Sequence, residues 1–268
     1  MRLHPFERVL REEDYAENSI VTYSYAVRDF LRRFTTLNSA HLLAYKASLI
    51  ETYKPRTVNL RIRSMNKYLE VAGRPNLKLK TIKMPKESYT DNVISNDDYV
   101  LFKRKLRKDP DQRWYFIVWF LAATGVRISE LTRMQVEHVK VGYADIRSKG
   151  NRIRRVYFPP RLQKQALEWL KSEGRDCGPL FLNTHGKVLT SRGIAARLRE
   201  FAVKYGIDPA VVHPHSFRHL FAKYFLRNNQ DISLLADLLG HSSIETTRIY
   251  LQQSSREQRR LVDEIVDW

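Results

Sequence analysis

Pro214-His215-Ser216-Phe217-Arg218-His219-Leu220-Phe221-Ala222-Lys223-Tyr224 carries two messages in one helical register. A proline suits the first turn of a helix, where its missing N–H costs nothing. Phe217, Leu220, Phe221 and Tyr224 then recur at i, i+3, i+4 and i+7, the spacing of a stripe turned to a core. His215 and Arg218, at i and i+3, neighbour each other on the side expected to face away from that stripe. A lone histidine is usually structural; paired with an arginine and off the core, it points to a site. His215 and His219 at i, i+4 also have a metal-ligand spacing, but no carboxylate or thiolate stands where it would complete the set.

Working outward, the downstream run Leu239-Gly240-His241-Ser242-Ser243-Ile244-Glu245-Thr246-Thr247-Arg248-Ile249-Tyr250 reads as a helix end at Gly240 and a new helix capped by serine. Upstream, Thr124-Gly125-Val126-Arg127-Ile128-Ser129-Glu130-Leu131 puts an arginine after a glycine turn, where a fresh helix offers free N–H groups to an anion. Glu130 either orients Arg127 or stabilises the helix start. Between these runs, 139–147 and 152–158 read as strands around Ser148-Lys149-Gly150-Asn151, a hairpin signal. The apolar run from Trp114 to Ala123 is too short to span a bilayer and reads as a helix buried in a core.

The N-terminal third has helical periodicity over 18–34, 39–53 and 55–71, and the third helix carries Arg56, Arg61, Arg63 and Lys67 as candidate cations for contacting an anionic partner. Around Pro85 apolar periodicity lapses, which marks a connector. The expected organisation is a helical domain over 1–84, a linker over 85–95 and a larger domain over 96–268 with a tail over 256–268. The fold class is mainly α, becoming α+β in the second domain through a small antiparallel sheet. Leu261, Ile265 and Trp268 lie at helical spacing in the tail.

Of 268 residues, 47 are Lys or Arg and 29 are Asp or Glu, a formal net charge of +18. Such a surplus favours a polyanionic partner, because each phosphate neutralised releases condensed counterions. Charge alone does not separate that from a basic solvated surface or association with ribosomes. A single cysteine, Cys177, excludes an intramolecular disulfide and an all-cysteine zinc site, and favours a reducing compartment. Met1 to Val9 has no apolar signal-peptide core, so the expected location is the cytoplasm, with no membrane partner.

Together these runs resemble the tyrosine recombinase (phage integrase) family, and within it the compact Xer-like members. The likeness extends from about Asn18 to Gln253, and the motifs occur in the family's order. Ala-Thr-Gly-Val-Arg-Ile-Ser-Glu-Leu comes first, then the Lys-Gly-Asn hairpin, Pro-His-Ser-Phe-Arg-His, Leu-Leu-Gly-His, and Thr-Thr-Arg-Ile-Tyr. Phe217 stands where the family often has leucine. The resemblance implies catalytic roles for Arg127, Lys149, His215, Arg218 and His241, with Tyr250 as nucleophile.

It implies a chemistry that these residue types suit. Two guanidinium groups grip the non-bridging oxygens of a phosphodiester, and His241 adds a donor. His215 takes the phenolic proton, since a free tyrosine ionises only near about pH 10. Lys149 protonates the leaving 5′-oxygen, and a 3′-phosphotyrosyl link conserves the bond energy, so neither ATP nor a metal cofactor is needed. The implied partners are double-stranded DNA with a target site and three further copies of the chain; the amphipathic tail with Leu261, Ile265 and Trp268 is a candidate for docking on a neighbouring copy or for folding back on its own domain. Competing readings are a type IB topoisomerase, an inactive DNA-binding protein and a zinc hydrolase. The complete set from Arg127 to Tyr250 weighs against the second, and the want of further ligands against the third.

Overall fold

A computed structural model describes residues 3–84, 92–147, 153–241, 243–251, 259 and 262–266. The chain divides into two units, Met1–Lys86 and Glu87–Trp268.

Among the described residues of the first unit, the α-helices are α1 (His4–Glu12), α2 (Glu17–Arg33), α3 (Ser39–Thr52) and α4 (Pro55–Val71). Sequence periodicity anticipates α2 to α4 but gives no separate α1, which buries Phe6 and Leu10. Asn38 caps α3 by accepting the His41 N–H at 2.8 Å. The helices close on Phe30, Leu42, Tyr45, Ile62 and Met65, all inaccessible to solvent. Two asparagines on α4 then hold the chain that follows. Asn66 exchanges a pair of hydrogen bonds with the Leu79 backbone and Asn59 does the same with Ile82, at 2.8 and 2.9 Å in each case. The chain just ahead of the expected linker is thus clamped to α4 at Leu79 and Ile82.

In the second unit, Ser95 caps α5 (Asn96–Arg107). Ile94, which the sequence reading assigns to the linker, is buried, and its N–H donates to Ser216 Oγ at 2.6 Å. The apolar helix α6 (Arg113–Thr124) runs through the core, as a helix that is hydrophobic all round must. Gly125 ends it at φ +63°, and a Cβ there would come within 2.6 Å of Phe221 and 2.9 Å of Leu239. Both the backbone and the packing therefore require glycine.

The chain continues through α7 (Ile128–Leu131) and α8 (Val136–Val141) into strands β1 (Tyr143–Arg147) and β2 (Ile153–Tyr157), paired antiparallel from Tyr143↔Tyr157 to Arg147↔Ile153. The expected strand start at Val139 is overturned. Val136 and Val139 are both buried at a spacing of three, which a helix provides and strand alternation does not. Then come α9 (Pro160–Ser172), α10 (Ser191–Lys204), α11 (Pro214–Asn228), α12 (Ile232–Leu239) and α13 (Ile244–Arg248). The helix expected after the serine cap runs as α13 and then tightens into a 3₁₀ turn, Ile249–Leu251. No described helix is long and apolar enough to cross a membrane.

Candidate active site

The site grows around the carboxyl end of α12. Gly240, at φ +65°, breaks the helix and leaves its last carbonyls without helical partners. Three successive carbonyls accept from three different arginines. Leu238 O takes Arg154 Nε at 2.9 Å, Leu239 O takes Arg218 Nη2 at 2.6 Å, and Gly240 O takes Arg127 Nη2 at 3.4 Å. The negative end of the helix dipole favours this gathering of cations.

Arg218 does not stand on the outer side of α11 as its register implies. It is 1% exposed, and Nη1 donates to Gly125 O at 2.6 Å. α11 is enclosed by α6, α12 and the 3₁₀ turn, so a face opposite the apolar stripe is also buried. Tyr224, expected on the core stripe, is instead 43% exposed. Among the described residues no carboxylate bonds Arg218. Burial, reinforced by the charge of Arg127, lowers its pKa to about 10.

His241 Nε2 lies 2.9 Å from Arg218 Nη2, and a guanidinium only donates, so Nε2 is the acceptor. The proton must then sit on Nδ1, which donates to Thr247 Oγ1 at 2.8 Å. Burial and the nearby cations Arg218 and Arg127 lower the pKa of His241 to about 4, consistent with a neutral ring. As held here, its inward nitrogen accepts from Arg218 and carries no proton to offer a phosphate.

Tyr250 sits in the 3₁₀ turn, 3% exposed, packed with Ala222, Leu235 and Leu239. Its ring meets His219 edge-on, with centroids 4.6 Å apart, and stacks on His241 at 5.9 Å. The hydroxyl is near enough to Arg218 to work against the lowering of that arginine's pKa. It has no hydrogen bond of acceptable geometry among the described residues, a rarity for a buried polar atom. His215, exposed in the first turn of α11, packs against His219 at 4.9 Å. Burial and the neighbouring His215 and His213 lower the pKa of His219 to about 3.

Arg127 precedes α7 and is 40% exposed at its side chain. Glu130 reaches back to it, accepting the backbone N–H at 2.7 Å and Nη1 at 2.9 Å. Both proposed roles for Glu130, orienting Arg127 and stabilising the helix start, thus meet in one carboxylate. Burial works to raise its pKa, but the bonds from Arg154 and Arg127 outweigh burial and hold it below the usual range. Arg127, Glu130, Arg154 and His241 face an open cleft of about 820 Å³, to which Arg133 and Arg155 add positive charge. Lys149 lies outside the described residues.

Sequence reasoning missed Arg154 and His219. The signal for Arg154 was available: in β2 it shares its face with buried Val156, an odd position for a cation unless something waits for it. On α4, the four candidate DNA cations separate. Arg56 and Arg63 are exposed. Arg61 is instead buried, 2.5 Å from Asp29 and lying over the ring of Tyr53, while Lys67 pairs with Glu13 and Glu70. The last two are committed to internal partners because their helical positions fall toward α1 and α2.

Residues 93–257 match the phage integrase family. Tyrosine recombinase XerA of Pyrococcus furiosus is 28% identical over 273 residues, covering 97% of this chain and 92% of that protein. Tyrosine recombinase XerC of Lactobacillus delbrueckii subsp. bulgaricus is 36% identical over 147 residues, about half of each chain. Among solved structures, the Tn1549 transposon integrase in complex with transposon right-end DNA aligns with a TM-score of 0.73 at 15% identity, over 98% of this chain and 99% of that one. The crystal structure of XerA recombinase aligns with a TM-score of 0.56 at 24% identity, over 98% and 96%. The chain belongs to the phage integrase family, as a Xer-like tyrosine recombinase.

Proposed function

We propose that the second unit cuts and rejoins DNA through Tyr250, and that the first unit grips the duplex beside it. The observation that carries this is a buried phenol with no hydrogen bond of acceptable geometry, next to a buried guanidinium to which no carboxylate is bonded, both among the described residues. A phosphodiester supplies what both lack: an electrophilic phosphorus for the phenol and anionic oxygens for the arginine.

Arg127 and Arg218 hold the non-bridging oxygens and stabilise the charge that builds as Tyr250 attacks. His215 accepts the phenolic proton and returns it on religation. His241 sets Arg218 through Nε2, and donates to the phosphate after Nε2 takes up a proton from solvent, a step that the incoming anion favours. Lys149 protonates the departing 5′-oxygen. The 3′-phosphotyrosyl link stores the bond energy, and a 5′-hydroxyl from a second duplex completes exchange through a Holliday junction.

Exposed Arg56 and Arg63 contact DNA phosphates. The chain works as a tetramer on its target in the cytoplasm, at the nucleoid. Ile265, 73% exposed, belongs to a tail that docks on a neighbouring copy; its companions Leu261 and Trp268 lie outside the described residues.

The test is incubation with a nicked duplex bearing a site enriched by the wild-type chain from a random-sequence pool. Wild type should leave a denaturant-resistant protein–DNA adduct and Tyr250→Phe none. An adduct with the phenylalanine variant would overturn the nucleophile assignment. Two-site plasmids should yield recombinants, whereas relaxation alone would indicate a topoisomerase.

A further inference from the structure

Among the described residues, the β1–β2 hairpin reaches Glu130 through Arg154. Arg154 is 7% exposed at its side chain, and it donates Nη1 to Glu130 Oε1 at 3.1 Å and Nη2 to Oε2 at 2.7 Å. Its Nε is fixed on Leu238 O. Each Glu130 oxygen is therefore shared. Oε1 lies between the guanidinium groups of Arg154 and Arg127, and Oε2 between Arg154 and the Arg127 N–H. A carboxylate divided in this way cannot turn wholly onto Arg127. Without Arg154, Glu130 would be free to form a full fork with Arg127 and occupy the donors a phosphate needs.

We propose that Arg154 is a positioning residue for strand cleavage, holding Glu130 so that Arg127 keeps both its orientation and its uncommitted charge. The proposal rests on Arg127 binding the scissile phosphate. It also gives the hairpin that carries Lys149 a physical link to that arginine, since strand β2 cannot shift without moving Arg154. Arg154 does not touch the reacting atoms; its effect passes through Glu130.

The experiment measures adduct formation at saturating enzyme on the nicked duplex, with DNA affinity and thermal midpoint read in parallel. Arg154→Gln should slow cleavage about ten-fold or more while DNA affinity changes less than about three-fold, the pattern of a lost transition-state interaction. Arg154→Lys, which keeps the charge but not the fork, should fold like wild type and still be slowed. The double variant Arg154→Gln/Glu130→Gln should be faster than Arg154→Gln alone, because the side chain that would capture Arg127 is gone. A methylphosphonate at the scissile position, which removes one anionic oxygen, should shrink the Arg154 defect along with that of Arg127→Gln.

Additive effects of Arg154 and Glu130, or a defect undiminished on the methylphosphonate, would overturn the proposal and leave Arg154 a structural ion pair. Absence of any adduct with wild type would instead bring down the recombinase chemistry, and this inference with it.

Discussion

Arg61 and Arg218 are both arginines folded into the interior of their units, and they do opposite things. Around Arg61 the charge is closed. Asp29 lies at 2.5 Å, the ring of Tyr53 lies beneath, and Asp29 is further held by Arg33 and Tyr45. Burial works against the Arg61 charge, but Tyr45 and Asp29 outweigh it, and the pKa stands above its ordinary value. Around Arg218 the hydrogen-bond partners among the described residues are neutral: two carbonyls and an imidazole. Its pKa falls to about 10. A buried cation with a matched anion is architecture. One supplied only with dipoles retains its charge for an incoming anion, at a cost in stability that packing elsewhere must offset.

The largest expected effect separates the two directly. Arg218→Gln should reduce adduct formation by roughly 100-fold or more, the usual consequence of removing a preorganised donor from a developing oxyanion. The thermal midpoint should hold or rise, because a desolvated charge has been removed. A midpoint several degrees lower would break the contrast with Arg61.

Gly125→Ala attacks the carbonyl that holds Arg218. With φ at +63° and a new Cβ against Phe221 and Leu239, the cost should be about 2–4 kcal/mol from strain and overpacking. Denaturant unfolding would measure it, and cleavage should fall too as Gly125 O shifts.

Arg61→Met should destabilise the first unit by roughly 2–3 kcal/mol, less than a fully orphaned pair because Arg33 still reaches Asp29. Adding Asp29→Leu should recover most of the loss. Single-turnover cleavage at saturating DNA should be unchanged by either variant, and a chemical defect would show that Arg61 is not closed architecture.

The smallest effect is on pH dependence. His219 and His241 have folded pKa values lowered from 6.5 to about 3 and about 4. The unfolded chain therefore binds more protons than the folded one as pH falls below about 6.5. The stability they contribute is fully present above that pH and is lost as pH falls toward their folded values. Midpoints from pH 7 to 4.5 should decline, and His219→Phe should flatten the slope. An unchanged slope would mean that His219 titrates no differently in the folded protein.

Much was legible in the order of residues. α6 announces itself by apolar residues on all sides, α4 by Pro55 and its periodicity, and the hairpin by Lys149-Gly150-Asn151 between two extended runs. The motif series also named in advance four of the described side chains that converge on the end of α12, Arg127, Arg218, His241 and Tyr250, though not Arg154. The register of α11 gave the wrong surroundings for Arg218, and the charge of α4 gave no warning that Arg61 and Lys67 were already engaged.

Those differences share a cause. Periodicity within a segment reports which residues share a helix face, because 3.6 residues per turn is a local property of the backbone. It does not report what covers the other faces, which depends on partners far along the chain. Gly125 O and Leu239 O are 93 and 21 positions from the guanidinium they hold. Residue types and helical registers were thus determined by the sequence alone. Only the tertiary structure decided which cations were neutralised, which nitrogen of His241 carries its proton, and that Arg154 shares Glu130 with Arg127. Each of these depends on donors and acceptors brought together by packing.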